Sequence, residues 1–360
     1  MPRQFYCRGM RIAVVGAGIV GLGCTYELLR RGAEAHCYEV AVPMGARSAG
    51  DTRIFRTAHA DPDLVQDAHR ARRGWTRWSQ AAGEDLVGRE GTVVSGDIDA
   101  MAAAMTAAGA AYQIRDEAPG LPAADPTGPF LLDALGGAIH AAATGRFLLA
   151  AIGTALRTAE VTAVDPDGTV TFTASPAPRT AEATPDGTVR TGSTGSRYDA
   201  VLIAAGAGTP GLAATAGIQI DAPAEHHARC TYPLRDPAAV PPCWLDRSGA
   251  WRPGFTSYGH LAGPGRWAIG GHLPELRTAW GYGHGAVTDW SREVLDSYVR
   301  EYVTGAVPEA VDVLHCDPIA AAGDGVHTER AGRILAVWGN NLFKLAPHLA
   351  TSLAGQLNSA

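Results

Sequence analysis

The chain has 360 residues, of which 46% are hydrophobic and 18% charged, with a formal net charge of −6. That length suits about two globular domains and excludes a single small module, while the scattered 30 basic residues give no electrostatic footprint for nucleic acid or an anionic membrane. Six widely spaced cysteines (Cys7, Cys24, Cys37, Cys230, Cys243, Cys316) without a CxxC pair suggest neither a metal centre nor a disulfide framework. The N-terminal stretch is short and polar, and no run of about 18 apolar residues occurs. The expectation is a cytoplasmic, monomeric protein with reduced thiols and a small-molecule partner.

In chain order, Arg11 to Val15 (RIAVV) is a buried-strand pattern that runs into GAGIVG, and residues 20–31 carry a helical periodicity that Gly32 stops. Residues 33–39 read as a second parallel strand. A helix is expected over 61–82, with Leu64, Ala68, Ala71, Trp75 and Trp78 along one side, then a strand over 91–96 and a helix around 97–108. Pro and Gly dominate 119–128. A helix within 132–158 precedes strands whose Pro-Asp-Gly turns, in EVTAVDPDGTVTFTAS and in TPDGTVRTG (184–192), signal hairpins. Residues 198–212 give another buried strand ending in glycines. Antiparallel strands and then a helix over 287–303 are expected in the aromatic-rich region 219–317, and the tail 333–357 reads as strand, Gly-Asn-Asn turn and final helix. One domain is expected from 1–84, 144–218 and 318–360, the other from 85–143 and 219–317.

Gly16, Gly18 and Gly21 form G-x-G-x-x-G after a strand and before a helix, where backbone amides and the helix N-terminus approach a pyrophosphate. Glu39 ends the second strand, 23 residues beyond Gly16, and suits a ribose 2′-hydroxyl; an acid there disfavours a 2′-phosphate and hence NADP. Dinucleotide binding follows, with Ile19 and Val20 in the same turn.

The next segment, RSAGDTRIFRTA from Arg47 to Ala58, carries Gly50, Asp51, Thr52, Arg53, Ile54 and Arg56 in the pattern G-D-T-R-I-x-R. Here the chain resembles the monomeric sarcosine oxidase and N-methyltryptophan oxidase family of FAD enzymes, within the D-amino-acid-oxidase-like group, and the resemblance covers nearly all of its length. It implies an α/β architecture, with a Rossmann-type, glutathione-reductase-like FAD-binding domain and a second α+β substrate domain built on an antiparallel sheet. It implies that Arg53 lies against the flavin ring and that Arg56 grips a substrate carboxylate, for which a planar guanidinium fork is suited. Lys344, the single lysine of the chain, corresponds to the family's second cation for that carboxylate. Cys316 lies where the family joins flavin through a thioether, and His272, closing the strand WAIGGH (267–272), would sit beside the substrate. Gly339, Asn340, Asn341, Leu342 and Phe343 would face the flavin pyrimidine, and Ser48, Thr52, Val161, Ala205 and Gly206 complete the expected cofactor contacts. No metal ligand set is expected.

Three departures from the family pattern matter. Ala268 stands where the oxidases carry a lysine that promotes reaction of reduced flavin with oxygen, and Arg266, on the same strand face by period-two alternation, is the substitute cation expected from sequence. Ala49 replaces a histidine, and Asn340-Asn341 replace a Gly-His pair. The expected activity is oxidation of a C–N bond of a small amino acid or a secondary or cyclic amine bearing a carboxylate, in primary metabolism or a specialised pathway, with oxygen or another acceptor taking the electrons. A flavin dehydrogenase with poor oxygen reactivity, a flavin-binding protein with no amine substrate, and an NAD-dependent dehydrogenase stay open at this stage.

Overall fold

The computed structural model describes residues 9–118, 120–123, 126, 128–174, 193–272, 277–319 and 323–358. Two eight-stranded sheets organise them. The first runs in the order 193–197, 169–174, 156–164, 34–39, 11–15, 200–203, 334–339, 326–331, with a parallel centre in which 11–15 lies between 34–39 and 200–203. Parallel strands covered on both faces need apolar residues in an unbroken run, and Ala200–Ile203 is buried throughout. Alternation then divides the side chains between the two faces. Ile12, Val14 and Leu202 pack with Leu22, Leu28, Ala350 and Leu353 of helices Ile19–Arg30 and Leu342–Leu357, whereas Ala13, Val15, Val201 and Ile203 pack with Ala213 and Ile218.

The second sheet, in the order 312–315, 228–233, 266–271, 257–261, 243–247, 92–96, 130–133, 113–115, is antiparallel except where 243–247 pairs parallel with 92–96. Helix Gly283–Glu301 covers one face, setting Leu295, Tyr298 and Val299 against Tyr232, Trp267 and Ile269. Between the sheets lies a ribbon of 52–55 and 137–140. The fold is therefore the α/β architecture expected: a Rossmann-type layer joined to an antiparallel sheet.

Local chemistry explains most element ends. Asp61 caps helix Pro62–Ala82 by accepting from the Asp63 N–H at 2.8 Å, Pro62 occupies the first turn, and Gly83 ends the helix in the left-handed region. The turn containing Pro166, Asp167 and Gly168 joins strands Leu156–Val164 and Thr169–Ala174 as expected. Its counterpart in 184–192 lies outside the described residues. Where the structure differs from the sequence reading, the elements are short: strands Thr52–Phe55, Phe130–Asp133 and Gly137–His140 and helix Thr209–Thr215 have four to seven residues, too few for a periodicity to show. The helix expected to begin at 287 begins at Gly283. Among the described residues, no helix is long and apolar enough to cross a membrane.

Candidate active site

A cavity of about 1010 Å³ opens outside the carboxyl ends of the central parallel strands, reaching the second sheet, the position where doubly wound sheets take ligands. Its outer part is made by the glycine turn. Gly16 has φ +100°, and a Cβ there would come within 2.5 Å of the Ala204 carbonyl oxygen, so only glycine lets the turn lie against the next strand. A Cβ at Gly21 would sit 1.9 Å from the Gly16 oxygen. Gly21 does not line the cavity and acts through this close helix packing. Gly18, Ile19 and Val20 do line it, as does Ser48, whose Oγ accepts from the Ile19 N–H at 3.1 Å. Glu39 accepts from the Ala17 and Ala41 N–H groups at 2.8 and 3.0 Å, which fixes its carboxylate at the cavity wall. Val161, Ala205 and Gly206 continue that wall.

The inner part is built by the segment after Arg47 and by the tail. Arg47 donates to the Gly339 carbonyl at 2.7 Å, tying the two together. Arg53 donates to the carbonyls of Thr52, Arg47 and Ala49, lies over the Phe343 ring at 5.5 Å, and approaches Cys316 Sγ at 3.7 Å. Burial, and then the charge of Arg229, lower its guanidinium to about 10, still cationic at neutral pH. Asn341, at φ +58°, starts helix Leu342–Leu357, whose first N–H groups have no partner within the helix. Gly339, Asn340, Asn341, Leu342, Phe343 and Lys344 all line the cavity.

The two cations that the sequence singled out converge on one carboxylate. Arg56 Nη2 lies 3.6 Å from Asp324 Oδ2, and Arg56 also donates to the Ala58 carbonyl. Lys344 is buried, held by a hydrogen bond from Trp75 Nε1 to its carbonyl at 2.8 Å, and its Nζ reaches Asn341 Oδ1 at 2.8 Å and His59 Nε2 at 3.1 Å. His59 Nδ1 in turn faces Asp324 Oδ2 at 3.3 Å. Burial, and then Lys344 and Arg56, drive the His59 pKa well down, so the ring is neutral, accepting from Lys344 and donating to Asp324. Burial pulls the Asp324 carboxyl upward, but the His59 hydrogen bond and the charges of Lys344 and Arg56 hold it below the usual carboxylate range. Lys344 is pushed well below the ordinary lysine value by burial and by Arg56. The charges of Asp324 and Asp133 oppose that shift.

Several expected site residues stand elsewhere. His272 is exposed, one residue beyond the end of the strand at Gly271, and does not line the cavity. Arg266 is exposed at the far end of the same strand and also stays outside, while Ala268 is fully buried; the substitute cation expected from sequence is not in the site. Thr52 does not line the cavity either: its hydroxyl donates to the Leu261 carbonyl at 2.7 Å, joining the short ribbon to the second sheet. Cys316 lines the cavity as expected, but His315 bonds Thr288 Oγ1 at 2.8 Å and stacks on His284 rather than assisting the thiol.

Residues that the sequence did not offer fill these places. His227, Arg229, Tyr258 and His260 line the cavity from the second sheet. Burial, then Arg229, Arg47 and His272, lower His227 to about 4, and its Nε2 shares a hydrogen bond with the Tyr258 hydroxyl at 3.0 Å. Arg229 donates to the Thr52 carbonyl and to His260 Nε2 at 3.2 and 3.1 Å. Arg47 stood in the quoted motif segment without a role; the others had no local spacing that marked them.

A family model described as DAO, FAD dependent oxidoreductase, matches residues 11–336. The chain belongs to this family. No curated protein matches it at the sequence level. Among solved structures, it is similar to the open form of NikD, an unusual amino acid oxidase essential for nikkomycin biosynthesis, with a TM-score of 0.77 and 18% identity over 96% of this chain and 93% of that one. It is also similar to L-proline dehydrogenase from P. horikoshii (0.72, 15%, 98% and 94%) and to iminodiacetate oxidase from Chelativorans sp. BNC1 (0.71, 18%, 97% and 94%). These likenesses show the fold. The FAD of the family fits the residues present: the glycine turn leaves Gly18 open on its cavity side except for Ser48 Oγ at 3.2 Å, Glu39 is fixed for a ribose, and the Arg53 guanidinium with the Asn341 helix start forms a polar wall for the ring system.

Proposed function

We propose that this family member oxidises the carbon–nitrogen bond of a small amino acid, or of a secondary or cyclic amine bearing a carboxylate, to an imine. The observation that carries the reading is the placing of Arg56 and Lys344 around one carboxylate, Arg56 directly and Lys344 through His59, in the cavity that fits FAD. FAD, when bound, supplies the acceptor for the hydride at N5. The protein's part is positional. Arg56 presents a planar fork to a substrate carboxylate and Lys344 a compact ammonium on a flexible stem. Two fixed points on the carboxylate restrict rotation of the amine-bearing C–H bond and place it for transfer. The buried, largely neutral lining of His227, His260 and Tyr258 favours the free amine over its ammonium form. Asn340 and Asn341, and the likeness to NikD and to a proline dehydrogenase, support a cyclic or aromatic amino acid from a specialised pathway.

Anaerobic mixing with a panel of N-methyl, cyclic and aromatic amino acids tests this, with bleaching of the bound flavin by at least one member expected. If none bleaches it, the reading of the chain as a flavin-binding protein without an amine substrate prevails. Ala268 favours a dehydrogenase within the same reading, since the buried side chain at that strand position carries no charge. Stopped-flow mixing of the reduced protein with oxygen is expected to show slow reoxidation.

FAD is held covalently through Cys316 in this proposal, supported by its place in the cavity wall and by the Arg53 guanidinium at 3.7 Å from its sulfur. Acid-precipitated protein stays yellow and carries the mass of one FAD, and Cys316→Ala releases the cofactor under the same treatment. Release of all flavin from the unaltered protein would return Cys316 to a packing role.

Asp324 now stands between the two cations and a substrate anion. Its side chain is half-exposed, so its pairings are worth about 0.2–1 kcal/mol. Asp324→Ala is expected to tighten binding of carboxylate substrates roughly two- to fivefold, read as a lower apparent Kd in reductive titrations; weaker binding would show instead that Asp324 orients Arg56 for the substrate.

A further inference from the structure

Outside the chemistry of the flavin cavity, a group of side chains from three separate elements meets at its rim. His226 precedes strand Ala228–Pro233, His284 lies in the first turn of helix Gly283–Glu301, and Asp317 follows strand Asp312–His315. His226 Nδ1 lies 3.0 Å from Asp317 Oδ1, and His284 Nε2 lies 2.9 Å from Asp317 Oδ2. Among the described residues, this is the one group of three His, Cys, Asp or Glu side chains whose donor atoms all lie within 4.8 Å of one another.

The hydrogen bonds around His226 give the arrangement its meaning. Its Nε2 lies 3.1 Å from the Trp280 carbonyl oxygen. A carbonyl only accepts, so Nε2 carries the proton. With Nδ1 unprotonated, its lone pair faces a carboxylate oxygen at 3.0 Å, and a cation lodged between the two satisfies both. His284 presents Nε2 to the other oxygen of the same carboxylate at 2.9 Å. A histidine that gives one nitrogen to a metal ion and donates the other N–H to a backbone carbonyl is the usual arrangement around such ions. The ring planes are fixed as well: Trp280 stacks on His226 at 4.3 Å, and His315, held by Thr288, stacks on His284 at 4.0 Å.

We infer that His226 Nδ1, His284 Nε2 and the Asp317 carboxylate form a binding site for a divalent transition-metal ion, with Zn²⁺ the best match. Two imidazoles and one carboxylate suit a borderline ion, whereas Mg²⁺ and Ca²⁺ take oxygen ligands. Bond lengths of about 2.0–2.1 Å in a tetrahedral shell set donor atoms roughly 3.3 Å apart; the two histidine–carboxylate contacts are a few tenths of an ångström shorter, and all three donor groups lie within 4.8 Å of one another. Three protein ligands leave the fourth position to water or a small ligand. The ion ties the start of helix Gly283–Glu301 to the residue that follows Cys316. Asp317 lines the cavity itself, so the clip sits at the cavity rim. The sequence hides the site because its ligands lie 91 and 33 positions apart.

The test is titration of Zn²⁺ into the chelator-treated, FAD-loaded full chain by isothermal calorimetry, alongside His284→Ala and Asp317→Asn. His284 is half-exposed and Asp317→Asn keeps its shape, so both variants are expected to fold with unchanged flavin content. One equivalent bound at micromolar metal, with affinity lowered about 10–100-fold or more in each variant, supports the site. No uptake below millimolar Zn²⁺, or affinity in either variant equal to that of the unaltered protein, overturns it.

Discussion

Arg56→Ala and Lys344→Ala each slow substrate-dependent flavin reduction about tenfold to a hundredfold while FAD content stays at the level of the unaltered protein. Each substitution removes one charge-assisted contact to the substrate carboxylate, worth about 1.5–3 kcal/mol in a buried setting, and about 1.4 kcal/mol corresponds to a factor of ten. The effect falls on both the apparent Kd and the limiting rate, because a carboxylate held at one point leaves the reacting C–H bond free to rotate. Lys344→Met separates charge from packing: it fills the buried volume between Trp75 and the cavity and still loses the contact. Arg56→Lys does not restore the rate, since an ammonium has no planar fork. Rapid-reaction measurement of reduction under anaerobic conditions decides the matter, and unchanged kinetics in both alanine variants would remove these residues from substrate binding.

Gly21→Val has the second large effect, and it acts on the fold before it acts on chemistry. The new Cβ meets the Gly16 carbonyl oxygen at 1.9 Å, a backbone atom fixed because Gly16 itself lies against Ala204. Helix Ile19–Arg30 must move away from strand Arg11–Val15, at about 1–3 kcal/mol of overpacking, so Tm falls by roughly 2–10 °C and little FAD is retained on purification. Gly18→Ala provides the contrast. Its Cβ meets only Ser48 Oγ at 3.2 Å, so the cofactor-free protein keeps its Tm, and only FAD affinity falls. Equal melting behaviour of Gly21→Val and the unaltered protein would count against the packing role.

The Rossmann half of the fold was legible because two of its central strands, 12–15 and Ala200–Ile203, are apolar runs, as strands covered on both faces tend to be, and because three glycines at fixed spacing have one backbone use. Within the candidate site, the segment from Arg47 to Arg56 and the single lysine pointed to the cavity lining from the sequence side, for a resemblance of residues in a row is readable locally. His59 and Asp324 were not: they are 265 positions apart, and no spacing announces a hydrogen bond made across the fold. His227, Arg229, Tyr258 and His260 were hidden for the same reason, arriving at the cavity from the two strands of the second sheet that flank strand Arg266–Gly271. His272 was expected in the site because the resemblance ends the active-site strand on a histidine, whereas the strand here ends at Gly271 and His272 stays outside the cavity lining. Arg266 misled because alternation says which face a residue takes but not how far along the sheet the cavity extends.

The Asp324 carboxylate has a consequence for how the protein selects among anions. A carboxylate attached to the same chain does not dilute away; a short tether holds it near its partners at an effective concentration in the millimolar range. Any anion that comes to Arg56 and Lys344 therefore competes with a resident rival of fixed strength, whatever the volume of the solution. Weakly held anions at micromolar levels, such as common carboxylates with nothing further to offer, lose that competition. A substrate with additional contacts to the His227 and Tyr258 side of the cavity wins it, and Asp324 sets the threshold that it must exceed.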